Sequence, residues 1–258
     1  MNRKLLALFL VLSGYLFFGC ATSNATQSPL PLVNQDLIKD FDFVTLNAPG
    51  VMEISQGAVE SLEILGDSTA VSSITASVTD RMLVISTEND LPTNSSITYK
   101  LIVTNLEGVL LDEFSVIKIP SFASDALELT VSGSGRMDLG DIKVANLKFI
   151  VNGNGSIEAD SITSTSLIVS STDAGSVTIA GGSTVDLMLE LGSGLFLGAD
   201  FKSTNVTLNM NGSGSAQVWS VEKLDVTING DGKVIYFGEP TMSMSVSGGG
   251  QLSGGGNK

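Results

Sequence analysis

Apolar and polar residues alternate through most of this chain, and a period of two predicts strands rather than helices. Leu127, Leu129 and Val131 open the most regular stretch. Met137 and Leu139 follow, then Leu147, Phe149 and Val151, then Leu167 and Val169. Val206, Leu208 and Met210, Leu224, Val226 and Ile228, and Met242, Met244 and Val246 continue the pattern. The positions between are mostly Ser, Thr, Asn, Asp, Glu and Lys.

Glycine-rich turns separate these segments: Gly133 and Gly135, Gly153 and Gly155, Gly175, Gly192 and Gly194, Gly212 and Gly214, Gly230 and Gly232, and Gly248 and Gly250. The steps between final glycines are 20, 20, 19, 20, 18 and 18 residues. Such a period marks a repeat architecture, in which one unit cannot bury its apolar face alone and stacks on its neighbours. If each repeat is one coil of a parallel β-solenoid, equivalent residues stack in columns about 4.8 Å apart, and seven coils make a rod of about 30 Å. The glycines then form the corners, where sharp bends use positive φ. An antiparallel meander is the competing architecture, because Asn152-Gly153, Asn211-Gly212 and Asn229-Gly230 fit hairpin turns equally well.

The 19-residue step is expected to leave Leu187, Leu189 and Leu191 out of phase with the other columns. A bulge or a shortened corner near Gly192 would restore the phase, since a slip of one residue turns a strand's apolar set to solvent. The third turn carries Asp173 in place of its first glycine and reads as a modified corner.

Residues 36–126 are strand-rich but less regular than the repeats at 127–253, and 254–258 form a tail. Short strands are expected around Phe41–Val44, Val51–Ile54, Leu62–Leu65, Met82–Ser86, Tyr99–Thr104 and Val116–Ile119, with a short helix from about Ser68 to Ile74. The fold class expected is all-β: a solenoid of about seven Gly-x-Gly coils after this less regular part.

The first residues have export-signal form. A basic end at Met1–Lys4 precedes an apolar run of 14 residues, Leu5–Phe18, too short for a comfortable membrane span. Gly19 and Cys20, the only cysteine, follow. This boundary resembles a bacterial lipobox, which implies cleavage after residue 19, acylation of Cys20 and, with Ala21 next, sorting to the outer membrane. A plain export signal leaving a free thiol is the alternative reading. Residues 20–35, rich in Ser, Thr, Asn and Pro, are expected to be a flexible tether.

Charge narrows the partners. The chain carries −14, and loss of residues 1–19 leaves 27 acids against 11 bases, or −16. Nucleic acid is therefore not expected as a partner, and the domain itself is not expected to bind an anionic membrane surface. The membrane would be engaged through the lipid alone.

No catalytic residue, cofactor or metal is expected. The chain has no histidine, which removes Ser-His-Asp chemistry and the commonest zinc sites. Carboxylate chemistry remains as the alternative, a carbohydrate-active solenoid enzyme drawing on Asp138, Asp141, Glu158, Asp160 or Asp200 with Arg136, Lys143 or Lys148. The expected reading of these residues is a solvated outer face that blocks edge pairing. Calcium is not expected, because Asp138 stands one residue late for a Gly-Gly-x-Gly-x-Asp roll and Asp231 suits an ordinary turn. If Val218 and Val234 face inward, Trp219, Ile235 and Phe237 face outward as an apolar stripe, a candidate surface for glycan or protein. Cover by a loop or by the N-terminal part is the alternative.

The order of an Asn-Ala-Pro-Gly-Val segment at residues 47–51, a Leu-Val-Ile strand, a Tyr-Lys-Leu-Ile-Val strand and the recurrent Gly-x-Gly turns resembles the autotransporter-adhesin head GIN domain family over about residues 36–253. The resemblance implies a right-handed β-helical domain on an exported bacterial protein, often a lipoprotein. It implies an adhesin-like or envelope-binding role and supplies no active site. No translocator barrel is expected after Gly250, so self-export is not expected either.

Overall fold

The computed structural model describes residues 38–87 and 96–258. The expected leader at 1–19, Cys20 and the tether at 20–35 lie outside the described residues. Strand follows strand as the period of two predicts. The early ones are β1 (Phe43–Asn47), β2 (Val51–Gln56), β3 (Ser61–Leu65), β4 (Ile74–Thr79), β5 (Met82–Thr87), β6 (Thr98–Val103) and β7 (Gly108–Glu113). The long ones follow: β8 (Val116–Gly133), β9 (Arg136–Gly153), β10 (Ser156–Ser171), β11 (Ser176–Ile179), β12 (Gly182–Leu191), β13 (Leu195–Asn211) and β14 (Ser215–Asn229). The last are β15 (Lys233–Phe237), β16 (Thr241–Ser247) and β17 (Gln251–Gly254). The helix expected at Ser68–Ile74 is α1 (Ser68–Val71), where Asp67 caps the amide of Thr69 at 2.9 Å, and the residues after it form β4.

Every ladder from β7 onward is parallel, so the chain is a β-solenoid of about seven glycine-cornered turns and not a meander. Each turn has three straight sides. Between β8 and β9 the register holds over Arg136–Leu139, Asp141–Val144 and Asn146–Gly153, and skips Gly140 and Ala145 where the chain bends. The third corner is the glycine turn. Leu139, Ile142, Leu147, Phe149 and Val151 point inward and are buried, and equivalents from successive turns stack on them as one continuous core.

Leu187, Leu189 and Leu191 are in phase, contrary to the expectation above. They pair 20 residues back with Leu167, Val169 and Ser171, and 19 forward with Val206, Leu208 and Met210. The missing residue falls in the corner: Gly192-Ser193-Gly194 has three residues between β12 and β13, where Thr172-Asp173-Ala174-Gly175 has four. The shortened corner near Gly192 thus absorbs the deletion, and Val185, outside the column, is 45% exposed. Asp173 keeps its own corner closed, because its carboxylate accepts the Gly153 amide of the preceding coil at 3.0 Å.

The ladders cross residue 126 without a break. β7 pairs with Glu128–Gly133, β1 pairs with both β7 and β5, and β2 pairs with both β8 and β6. The first rung in the chain, β1 with β2, is therefore the second in space, enclosed by the rung of β5 and β6. That outer rung is closed by antiparallel strands, β4 on β5 and β3 on β6, with Ala70 and Val71 of α1 buried in the core. The β4–β5 hairpin turns through Asp80 and Arg81, both at positive φ, and Arg81 Nε donates to buried Asp42 at 2.8 Å.

Candidate functional site

Where a corner carries two glycines, they have separate physical reasons. The first uses the left-handed region at Gly133, Gly153, Gly212, Gly230 and Gly248. The second, at Gly135, Gly155, Gly175, Gly194, Gly214 and Gly232, is buried, and Gly250 is half-buried. An added Cβ at Gly175 would stand 2.3 Å from Val151 Cγ1, and one at Gly155 would stand 2.4 Å from Val131 Cγ1. These glycines shape the rod.

Of the acids and bases weighed for catalysis, all but Asp160 form ion pairs along the outer face. Arg136 pairs with Asp138 and reaches Glu158 at 3.1 Å, Lys143 meets Asp141 at 2.8 Å, and Lys148 meets Glu128 at 2.9 Å across adjacent rungs. The hydrogen bond to Asp138 holds the Arg136 guanidinium above its ordinary pKa. Asp160 joins Lys118, Arg136, Asp138 and Glu158 around an open depression of about 420 Å³. A second depression of about 420 Å³ lies at the shortened corner, lined by Thr172, Glu190, Asn209, Asn211, Thr227 and Asn229. Asn229 Nδ2 donates to Asn211 Oδ1 there at 2.8 Å. Turn Asp231 is engaged by the Gly249 amide at 3.1 Å, and no group of three potential metal ligands occurs among the described residues.

Aromatic side chains meet near the other end of the rod. Val218 and Val234 are buried inward, so Trp219 of β14 and Phe237 of β15 face outward, and the two are register partners on adjacent rungs. Trp219 falls where the coil shortens: β13 carries Ala199, Asp200 and Phe201 between Gly198 and Lys202, whereas β14 passes directly from Val218 to Trp219. Phe201 is drawn into the core and Asp200 is left outside.

Both rings are half-buried because the last residues cross them. Lys258 Nζ lies 4.9 Å from the Phe237 ring centre and 6.0 Å from that of Trp219, and it pairs with Asp200. Gly255 leaves no room for a side chain over Phe237, where an added Cβ would stand 2.5 Å from the ring. Residues 254–258 continue the rung: the Gly255 amide donates to Tyr236 O at 2.7 Å, and Asn257 Nδ2 to Glu239 Oε1 at 2.6 Å. Sequence reasoning passed over Lys258 and gave Asp200 no place in this cluster. The 18-residue period would have found the contact, since it sets Gly255 beside Phe237 and Asn257 beside Glu239.

The sequence profile of the family described as "Putative auto-transporter adhesin, head GIN domain" matches residues 40–240. The chain belongs to this family. Its head GIN domain match spans β1 to β15 and leaves the last rung, β16 with β17, outside. No curated protein matches the chain. Among solved structures, a "putative adhesin" from Parabacteroides merdae is similar at TM-score 0.78 and 19% identity, covering 84% of this chain and 93% of that one. A "putative lipid binding protein" from Parabacteroides distasonis is similar at TM-score 0.78 and 22% identity, over 84% and 93%. A "putative adhesin" from Bacteroides fragilis follows at TM-score 0.64 and 18% identity, over 86% and 94%. At these identities the likeness establishes the head GIN fold.

Proposed function

We propose that this head GIN domain is a non-enzymatic binding module of the bacterial envelope, exported, acylated at Cys20 in the outer membrane and contacting a glycan or protein through the Trp219–Phe237 platform. One observation carries the reading: two outward aromatic rings, half-buried beneath residues 254–258, lie in register at the end of the rod away from residue 38. Residue 38 enters beside the rung of β1 and β2, and the ladder from β2 to β15 passes through β8, β9, β10, β11, β13 and β14, which places the platform about 30 Å away. Flat aromatic surfaces bury large area at low entropic cost, and Lys258 with Asp200 adds a charged rim. The paired acids and the shallow, open depressions support binding over catalysis, which needs convergent groups in a walled cleft.

The test compares attachment of intact cells carrying the wild-type chain or Trp219→Ser with Phe237→Ser to an array of immobilised glycans and envelope proteins. The wild type is expected to attach to at least one ligand and the double variant to lose most of that signal. Equal attachment by both contradicts the reading. So does hydrolysis or elimination of any arrayed polysaccharide by the purified chain.

A further inference from the structure

We infer that the open end of the solenoid, the rung of β16 and β17, is an interface through which two copies of this chain pair about a two-fold axis. The two ends of the rod are built differently. At the end near residue 38 the ladders finish in antiparallel strands, β3 on β6 and β4 on β5, and Ala70 and Val71 of α1 are buried in the core. At the other end β16 pairs only with β14, and β17 only with β15, among the described residues. Among the described residues no strand pairs with their outer edges. An unpaired strand edge is a template for another strand, and natural sheets blunt such edges with lysine, proline or a bulge.

None of these devices is present on the last rung. Residues 241–257 contain no charged residue and no proline, in a chain of net charge −14. Residues 230–258 hold two acids, Asp231 and Glu239, and two bases, Lys233 and Lys258. Two such ends meet without the repulsion that the charge of the whole chain imposes elsewhere. The apolar columns also run off the end uncovered. Met242 and Met244 occupy inward positions below buried Leu224 and Val226, yet they are 47% and 58% exposed.

A second copy of the same end fits this surface best. β3 and β4 at the other end likewise have one partner strand each among the described residues, but they run antiparallel to β6 and β5 and are joined through α1, so the open end meets no matching parallel rung there. Open end on open end is isologous, and it closes at two chains. Pairing of β16 with its mate continues the sheet from one copy into the other and covers Met242 and Met244.

The test measures the protein mass of the full chain in detergent by light scattering, with and without Cys20→Ser to separate the interface from lipid-driven association. Two chains per particle are expected in both forms. Met242→Glu with Met244→Glu should halve the mass, as should Ser245→Lys, whose outward side chain leaves the core intact and places a charge on the edge. Where the methionine variant fails to fold, Ser245→Lys decides. One chain per particle at every concentration overturns the inference. Dimers that persist in Ser245→Lys with unchanged melting overturn it too.

Discussion

At the scale of single residues, the corner glycines behave as space-holders as much as bend-formers. Gly175 is buried against the preceding coil, so Gly175→Ala should cost about 1–3 kcal/mol through overpacking on Val151. Val151→Ala in the same chain should recover part of that loss, giving a favourable coupling in a double-mutant cycle read from urea midpoints; strict additivity would place the clash elsewhere. The sequence shows these glycines as corners, but the reason for the second one lies in a side chain 24 residues earlier and has no local signature. Tyr99 is the other residue with a distinct expectation. Burial pushes its phenol well above the ordinary 10.0, and its hydroxyl donates to Pro49 O at 3.1 Å. The folded state therefore holds a proton that the unfolded chain releases above pH 10, so this contribution is complete below that pH and is lost as pH rises beyond it. Tyr99→Phe should lower stability by about 1 kcal/mol at neutral pH and flatten the alkaline limb of a melting-temperature profile. Identical alkaline slopes would contradict the assignment.

At the scale of elements, the register of a solenoid makes adjacent positions respond very differently. Val226 is buried in a column between Leu208 and Met244, whereas Thr227 faces outward and is half-buried. Val226→Asp buries an unpaired charge and should cost more than about 3 kcal/mol, and Thr227→Asp less than about 1 kcal/mol. Comparable shifts in thermal melting would mean that the register is wrong. The sides carrying Leu147, Phe149 and Val151, and Met137 and Leu139, are legible because every alternate residue is apolar. The short middle side is not. Its inward positions include Ser164, Thr184, Ser203 and Ser220; Thr184 Oγ1 and Ser220 Oγ donate within the bend to Asp186 O at 3.3 Å and Lys223 O at 2.7 Å, and Ser164 Oγ donates to Thr184 Oγ1 of the next rung at 2.9 Å, so the apolar signal lapses where the chain still turns inward. The position of β1 with β2 inside the outermost rung is likewise hidden, because order in space departs from order in the chain. Glycine spacing alone puts Leu187, Leu189 and Leu191 out of phase, whereas the strand register keeps them in their columns; the missing residue is in a corner, where loss of one residue is tolerated.

For the whole molecule, the ends differ in construction and the proposed function uses that difference. One end is closed by antiparallel strands beside the point where residue 38 enters, and the other presents the aromatic platform and an open rung. On the proposed function a partner is engaged at the far end and not along the rod. The direct measurement is site-specific photo-crosslinking in intact cells, with a photoreactive amino acid placed at outward Ile235 beside Phe237 or at exposed Ser77 on the closed end. One discrete adduct with an envelope protein or glycan is expected from position 235, diminished by Trp219→Ser, and none from position 77. No adduct from position 235, or the same adduct from both positions, would contradict it.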